Sequence, residues 1–208
     1  MILPRLYAIV DAELLAARSV SLAIVASELR AADVTLLQYR DKNGPTQEIL
    51  RACAILRNAL SGSACRLILN DRADLAVLAN FDGVHVGQGD LSPEDARRVV
   101  GPDRIVGVST HTDEQVRIAD QSCADYIAIG PVFTTATKLN PDPVVGLEGV
   151  RRARALTRKP LVAIGGITRA NARSILDAGA DSIAVISSLF AAHQSPQQVA
   201  RDFLARLR

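Results

Sequence analysis

The chain of 208 residues contains no tryptophan, one methionine, and only three tyrosines and four phenylalanines. With aromatics at 3% of the sequence, there is no stacking platform for single-stranded nucleic acid. The core must be built from Val, Ile, Leu and Ala. An excess of charge of either sign is also missing. Twenty-four Lys and Arg stand against 22 Asp and Glu, a net of +2, which excludes both a broad basic footprint for nucleic acid and the self-repulsion of a disordered chain. No apolar run approaches the length of a membrane span. Met1-Ile2-Leu3-Pro4-Arg5 leads straight into an apolar strand, without the basic segment and apolar stretch of a secretory leader. A cytoplasmic protein that binds neither nucleic acid nor membrane is expected. Cys53, Cys65 and Cys123 are odd in number and far apart, and read as buried, reduced thiols. No Ser/His/Asp or Cys/His triad, zinc spacing or glycine-rich dinucleotide fingerprint is found.

What is there is a regular alternation of short β-branched runs with longer segments of helical period. Strands are expected at residues 6–10, 34–37, 67–69, 83–86, 105–108, 126–129, 161–164 and 182–186. Helical patterns fill 20–32, 45–60, a short stretch through Leu75 and Leu78, about 112–121 and 147–156, and a final helix closes the chain. Ser92 with Pro93 marks a further helix start, and Thr168 is expected to cap the helix that ends near Asp177. Near-continuous apolar strands, eight of them, and no second compositional block indicate an α/β chain. A single-domain (β/α)8 TIM barrel over residues 1–208 is expected. A doubly wound open sheet is the competing fold, and the count of eight favours the barrel.

In such a barrel the C-terminal strand ends share one face, where chemistry is carried out. The polar residues of this chain collect there. Gln38, Arg40 and Lys42 share one parity after the second strand, and Asp41 has the other. Asn70-Asp71 follows the third strand and Asp90 the fourth. Ser109 follows the fifth, with His111 nearby and equally suited to starting a helix, whereas His85 lies within a strand and reads as structural. Cations suit an anion, and two carboxylates suit a hard cation such as Mg²⁺, which keeps water and phosphate oxygens among its ligands. Either Asp taken alone reads more readily as a helix cap, and the two together after barrel strands that precede basic loops read less so. The longest irregular stretch, 131–146, carries Thr135, Ala136, Thr137 and Lys138, and it is suited to closing over the site. Gly165-Gly166 after the seventh strand and Ile186-Ser187 after the eighth occupy the positions from which barrels often bind phosphate.

In this order, Gln38-Tyr39-Arg40-Asp41-Lys42, Asn70-Asp71-Arg72, Asp82 to Leu91, Gly107-Val108-Ser109-Thr110-His111, Gly130 to Phe133 with Thr135 to Lys138, and Ala163 to Ile167 resemble the thiamine-phosphate synthase family. The likeness runs through nearly the whole chain. It implies a transferase that joins a hydroxymethylpyrimidine diphosphate to a thiazole phosphate, carboxylated or not, and releases pyrophosphate by way of a pyrimidine-methyl cation. It further implies that Gln38, Arg40, Lys42, Asn70, Ser109 and Lys138 hold the pyrimidine diphosphate, with Arg40, Lys42 and Lys138 stabilising the leaving group. Thr135, Ala136, Thr137, Gly166, Ile186 and Ser187 would receive the thiazole phosphate, and Asp71 and Asp90 would bind Mg²⁺. The partners implied are small phosphorylated molecules, and a homo-oligomer is compatible with the chain.

Thr134 stands where the family often has proline. A thiazole tautomerase of the same fold is the nearest rival, but it uses a histidine where this chain has Pro131, and lacks an aspartate matching Asp90. A non-catalytic barrel that holds thiamine phosphate would have no use for the two aspartates and Lys138. A generic aldolase or isomerase would want a Schiff-base lysine or an acid/base pair.

Overall fold

The computed structural model of the chain describes residues 2–135 and 143–208. Eight parallel strands close into a barrel in chain order: β1 Leu6–Asp11, β2 Leu36–Arg40, β3 Arg66–Asn70, β4 Gly83–Val86, β5 Ile105–Thr110, β6 Tyr126–Ile129, β7 Leu161–Ile164 and β8 Ser182–Val185, with β8 pairing back onto β1. Around it lie α1 Ala12–Ala17, α2 Leu22–Ala31, α3 Thr46–Ala59, α4 Ala73–Leu78, α5 Pro93–Val100, α6 Asp113–Gln121, α7 Gly146–Leu156, α8 Ala172–Asp177 and α9 Pro196–Arg206. A single 3₁₀ turn, Ser187–Leu189, follows β8.

Successive strand residues point to opposite faces, so each strand feeds two cores. Leu6, Ala8 and Val10 of β1 face the helices, as do Leu37, Leu69, Val84, Val106 and Ile127. Tyr7 and Ile9 alternate with them and point into the barrel, where Leu36, Ile68, Ile105, Tyr126, Val162 and Ala184 complete a separate inner cluster. Both faces are therefore apolar, which explains the near-continuous hydrophobic runs. Among the described residues no helix is long and apolar enough to cross a membrane.

Local signals behave largely as their chemistry dictates. Ser92 accepts a hydrogen bond from the Asp95 N–H with Pro93 opening α5, and Thr112 caps α6. Three expectations need correction. Strand β2 begins and ends later than residues 34–37, because Gln38 and Arg40 are polar yet inward-facing at the barrel mouth. A polar side chain there marks the site, not the end of the strand. Helix α1 is short and was not expected; Asp11 caps it by accepting from the Leu14 N–H. Thr168 does not cap α8. Its N–H donates to Asn171 Oδ1 and its carbonyl accepts from the Asn171 and Ala172 N–H groups, so a turn precedes the helix.

The cysteines differ from the expected uniform burial: Cys53 is buried, Cys65 partly so and Cys123 exposed. Burial pushes the Cys53 and Cys65 thiols up to about 12, so both stay protonated and unreactive at neutral pH.

Candidate active site

The C-terminal mouth of the barrel holds a cavity of about 490 Å³. Gln38, Arg40, Lys42, Asn70, Asp71, Asp90, Ser109, Thr135, Gly166, Ile186 and Ser187 all line it. They come from seven different strand ends and their loops, so the closed barrel is what brings them together. Ala136, Thr137 and Lys138 lie outside the described residues.

The strand-two residues reach the cavity by period-two alternation, and each has an assigned partner. Gln38 is buried and its Nε2–H donates to the Tyr7 hydroxyl at 2.8 Å. Arg40 pairs with the Asp11 carboxylate, whose other oxygen caps α1. Lys42 Nζ lies 2.7 Å from Asp71 Oδ2. Asp41, of opposite parity, turns away and accepts the Gly44 N–H at 2.7 Å. The two cations are thus held by carboxylates at their flanks rather than left to fold back on the surface.

Asp71 adopts a left-handed backbone, φ 61°, a region that Asp tolerates better than most residues. Its N–H donates to the His85 carbonyl at 2.7 Å. Burial raises the Asp71 carboxyl above the usual range; Lys42 opposes this and Asp90 reinforces it. For Asp90 burial also acts upward, but hydrogen bonds from Asp71 and the Gly87 N–H, with the Lys42 cation, outweigh it and bring the group below its ordinary value. Two carboxyls that share a hydrogen bond and perturb each other need a proton or a cation between them. This donor set, two hard oxygen groups beside open cavity, fits a divalent ion that keeps water and ligand oxygens. Asn70 adds an amide Nδ2 that is buried and without a hydrogen-bond partner.

The glycine pair on the opposite side is explained by its own chain. Gly165 and Gly166 have φ values of 102° and 64°. A Cβ on Gly165 would come within 2.5 Å of Pro131 Cβ, and one on Gly166 within 2.6 Å of the Thr134 carbonyl oxygen. The first residues of the long loop pack that closely, tied by the Val132 and Phe133 N–H groups to the Ile164 and Gly165 carbonyls. The glycines therefore anchor the loop against the mouth while leaving their own backbone on the cavity wall.

Four residues of the site were not foreseen in these roles. Asp11 is buried and positions Arg40. Tyr7, Tyr126 and His85 form the floor, with the Tyr7 and Tyr126 hydroxyls 3.0 Å apart, Tyr126 to His85 Nδ1 at 2.8 Å, and His85 Nε2 to Ser109 Oγ at 2.8 Å. The structural reading of His85 holds, but it is a wall of the cavity as well. Burial holds its pKa down to about 4, with Asp90 acting upward and Lys42 downward. His111 begins the turn into α6 and its Nδ1–H donates to the Gly130 carbonyl at 2.6 Å.

A closed (β/α)8 barrel with flanked cations, a carboxylate pair and a glycine turn at one mouth places this chain among the barrel enzymes whose polar groups collect at the C-terminal strand ends. Residues 6–189 match the thiamine monophosphate synthase family. The chain is 58% identical over 204 residues to the thiamine-phosphate synthase of Koribacter versatilis, covering 97% of this chain and 95% of that one. It is 41% identical to the thiamine-phosphate synthase of Chloroflexus aurantiacus, over 90% of this chain and 86% of that one. The solved thiamine phosphate pyrophosphorylase from Pyrococcus furiosus superposes with a TM-score of 0.84 at 32% identity, over 98% of this chain and 95% of that one. The chain belongs to the thiamine monophosphate synthase family and is a transferase.

Proposed function

We propose that the enzyme joins 4-amino-2-methyl-5-(diphosphooxymethyl)pyrimidine to 4-methyl-5-(2-phosphooxyethyl)thiazole, giving thiamine phosphate and pyrophosphate, or to its carboxylated form, in which case CO2 is released as well. The observation that carries this reading is the placement of Arg40 and Lys42 beside the Asp71–Asp90 pair in one cavity. That is an arrangement for a leaving diphosphate. The bond from the pyrimidine methylene carbon to the diphosphate oxygen breaks with its electron pair on pyrophosphate. The thiazole nitrogen then donates its lone pair to the same carbon.

Asp71 and Asp90 would hold Mg²⁺, which neutralises charge on the departing diphosphate when bound. Arg40 and Lys42 stabilise the same developing charge from fixed positions. Asn70 Nδ2 offers a further donor to the pyrimidine diphosphate. Gly166, Ile186, Ser187 and Thr135 receive the thiazole phosphate on the other side, so the nucleophile waits where the cationic carbon forms, and the resemblance adds Ala136 and Thr137, which lie outside the described residues. By the same resemblance Lys138, outside the described residues, would add a cation to the diphosphate, and the chemistry requires that water be kept from the pyrimidine-methyl cation. No strong base is required, which agrees with His85 being held neutral and buried.

The test is thiamine phosphate formation by the purified protein from both substrates, with Mg²⁺ present and with Mg²⁺ chelated. Product that depends on the metal is expected. Tight binding of the substrates without product would move the case to a binding barrel. Isomerisation of the thiazole alone would move it to the tautomerase.

A further inference from the structure

We propose that Tyr7, Tyr126 and His85 form a buried hydrogen-bond relay that sets the proton orientation at Gln38 and Ser109, so that the cavity reads an aminopyrimidine edge and rejects its oxo counterpart. The inference rests on the pyrimidine substrate proposed above. These three are positioning residues, acting through the two side chains that face the ligand.

The polarity follows link by link. The Gln38 Nε2–H donates to the Tyr7 oxygen at 2.8 Å. Tyr7 has one proton, and its other partner is the Tyr126 oxygen at 3.0 Å, so it donates there. Tyr126, now an acceptor, directs its own proton to His85 Nδ1 at 2.8 Å. A neutral imidazole that accepts at Nδ1 carries its proton on Nε2, and Nε2–H donates to Ser109 Oγ at 2.8 Å. Ser109 therefore turns its hydroxyl proton toward the cavity. At the other end Gln38, its amide orientation fixed by the one N–H held on Tyr7, presents Oε1.

The cavity thus offers one acceptor and one donor. A 4-aminopyrimidine supplies the complement, an exocyclic N–H and an unprotonated ring nitrogen. A 4-oxopyrimidine supplies the opposite, a carbonyl and a ring N–H. Accepting it would need the Gln38 amide, both tyrosines, the imidazole tautomer and Ser109 to reverse together. Packing opposes that rearrangement. The Tyr126 ring lies 5.5 Å from His85 in a stack and 6.0 Å from Tyr7 edge-on. Gly107, between His85 and Tyr126 in the sheet register, makes room for the ring: a Cβ there would be 2.0 Å from Tyr126 Cζ.

The experiment compares kcat/KM for the 4-amino substrate and its 4-oxo analogue, both as diphosphates, in wild type, Tyr7→Phe and Tyr126→Phe. Wild type should prefer the amino compound by at least about 100-fold, the scale set when buried polar groups are left mismatched. In both variants the preference should fall to about tenfold or less, because a freed Gln38 or Ser109 can reorient. A merely structural role would slow both substrates in proportion, and an unchanged ratio would overturn the relay. So would a wild type that uses both alike.

A second measurement reads the wild-type protein and is independent of turnover. The ¹⁵N signals of His85, identified by their loss in His85→Asn, should show the Nε2–H tautomer in the protein without substrate. The Nδ1–H tautomer would reverse the polarity and overturn the inference. Failure of the synthase reaction with an Nε2–H histidine would instead count against the proposed reaction and leave the relay's polarity standing.

Discussion

At the scale of single residues, the site is made by pairing charges that would otherwise be free to move. Asp71 serves Lys42 and Asp90 at once, so its replacement has a defined expectation. Asp71→Asn keeps the shape and removes the charge, and should lower kcat/KM by about 10²–10³, the usual loss when one preorganised electrostatic group is removed. Stability should change little, within about 1 kcal/mol, since Lys42 is largely open to solvent and such pairs contribute weakly. Steady-state kinetics beside a urea titration would check both halves, and near-normal turnover would remove Asp71 from the proposed metal site. Residues of this kind were legible because charge at a strand end is rare unless used. Parity alone placed Gln38, Arg40 and Lys42 inward and Asp41 outward. Tyr7, Tyr126 and Asp11 were not legible in the same way, since a tyrosine in a buried strand looks like core until its hydroxyl is seen to have a partner.

Among elements, what mattered was where strands stop. The apolar runs located all eight strands, because each must bury both faces, but they misplaced β2, whose last residues enter a polar mouth. The short α1 escaped notice since six residues carry too little periodicity. The strand glycines give a test at this scale. Gly107 in β5 leaves the space that Tyr126 occupies from β6, and Gly107→Ala forces a Cβ into that ring. The substitution should cost about 2–4 kcal/mol, at or above the upper end for overpacking in a closed core. It should also disturb Ser109 two residues on. Urea unfolding would measure the first and KM for the proposed pyrimidine substrate the second. A loss under about 0.5 kcal/mol, the range of neutral surface changes, would mean the strands shift to admit the methyl group.

For the whole molecule, the buried floor couples the stability of the barrel to pH. In the unfolded chain His85 takes up a proton near the usual histidine value of about 6.5. In the folded barrel it does so only at about 4, because burial opposes its charged form, Lys42 adds to that effect, and Asp90 offsets part of it. Tyr126 and Ser109 occupy its two nitrogens, and neither is an ionised partner that could compensate. Between these two values the unfolded state binds the extra proton. Stability is therefore full above about pH 6.5, declines as pH falls, and has lost this contribution below about 4. The decline due to His85 should be on the order of 3 kcal/mol. Unfolding free energy measured by urea from pH 8 to 4, with chelator present so that no metal on Asp71 and Asp90 intrudes, should show that slope. His85→Gln, which cannot titrate, should flatten it. A wild-type slope retained in full by the variant would place the proton uptake on other groups and remove the floor from the pH response.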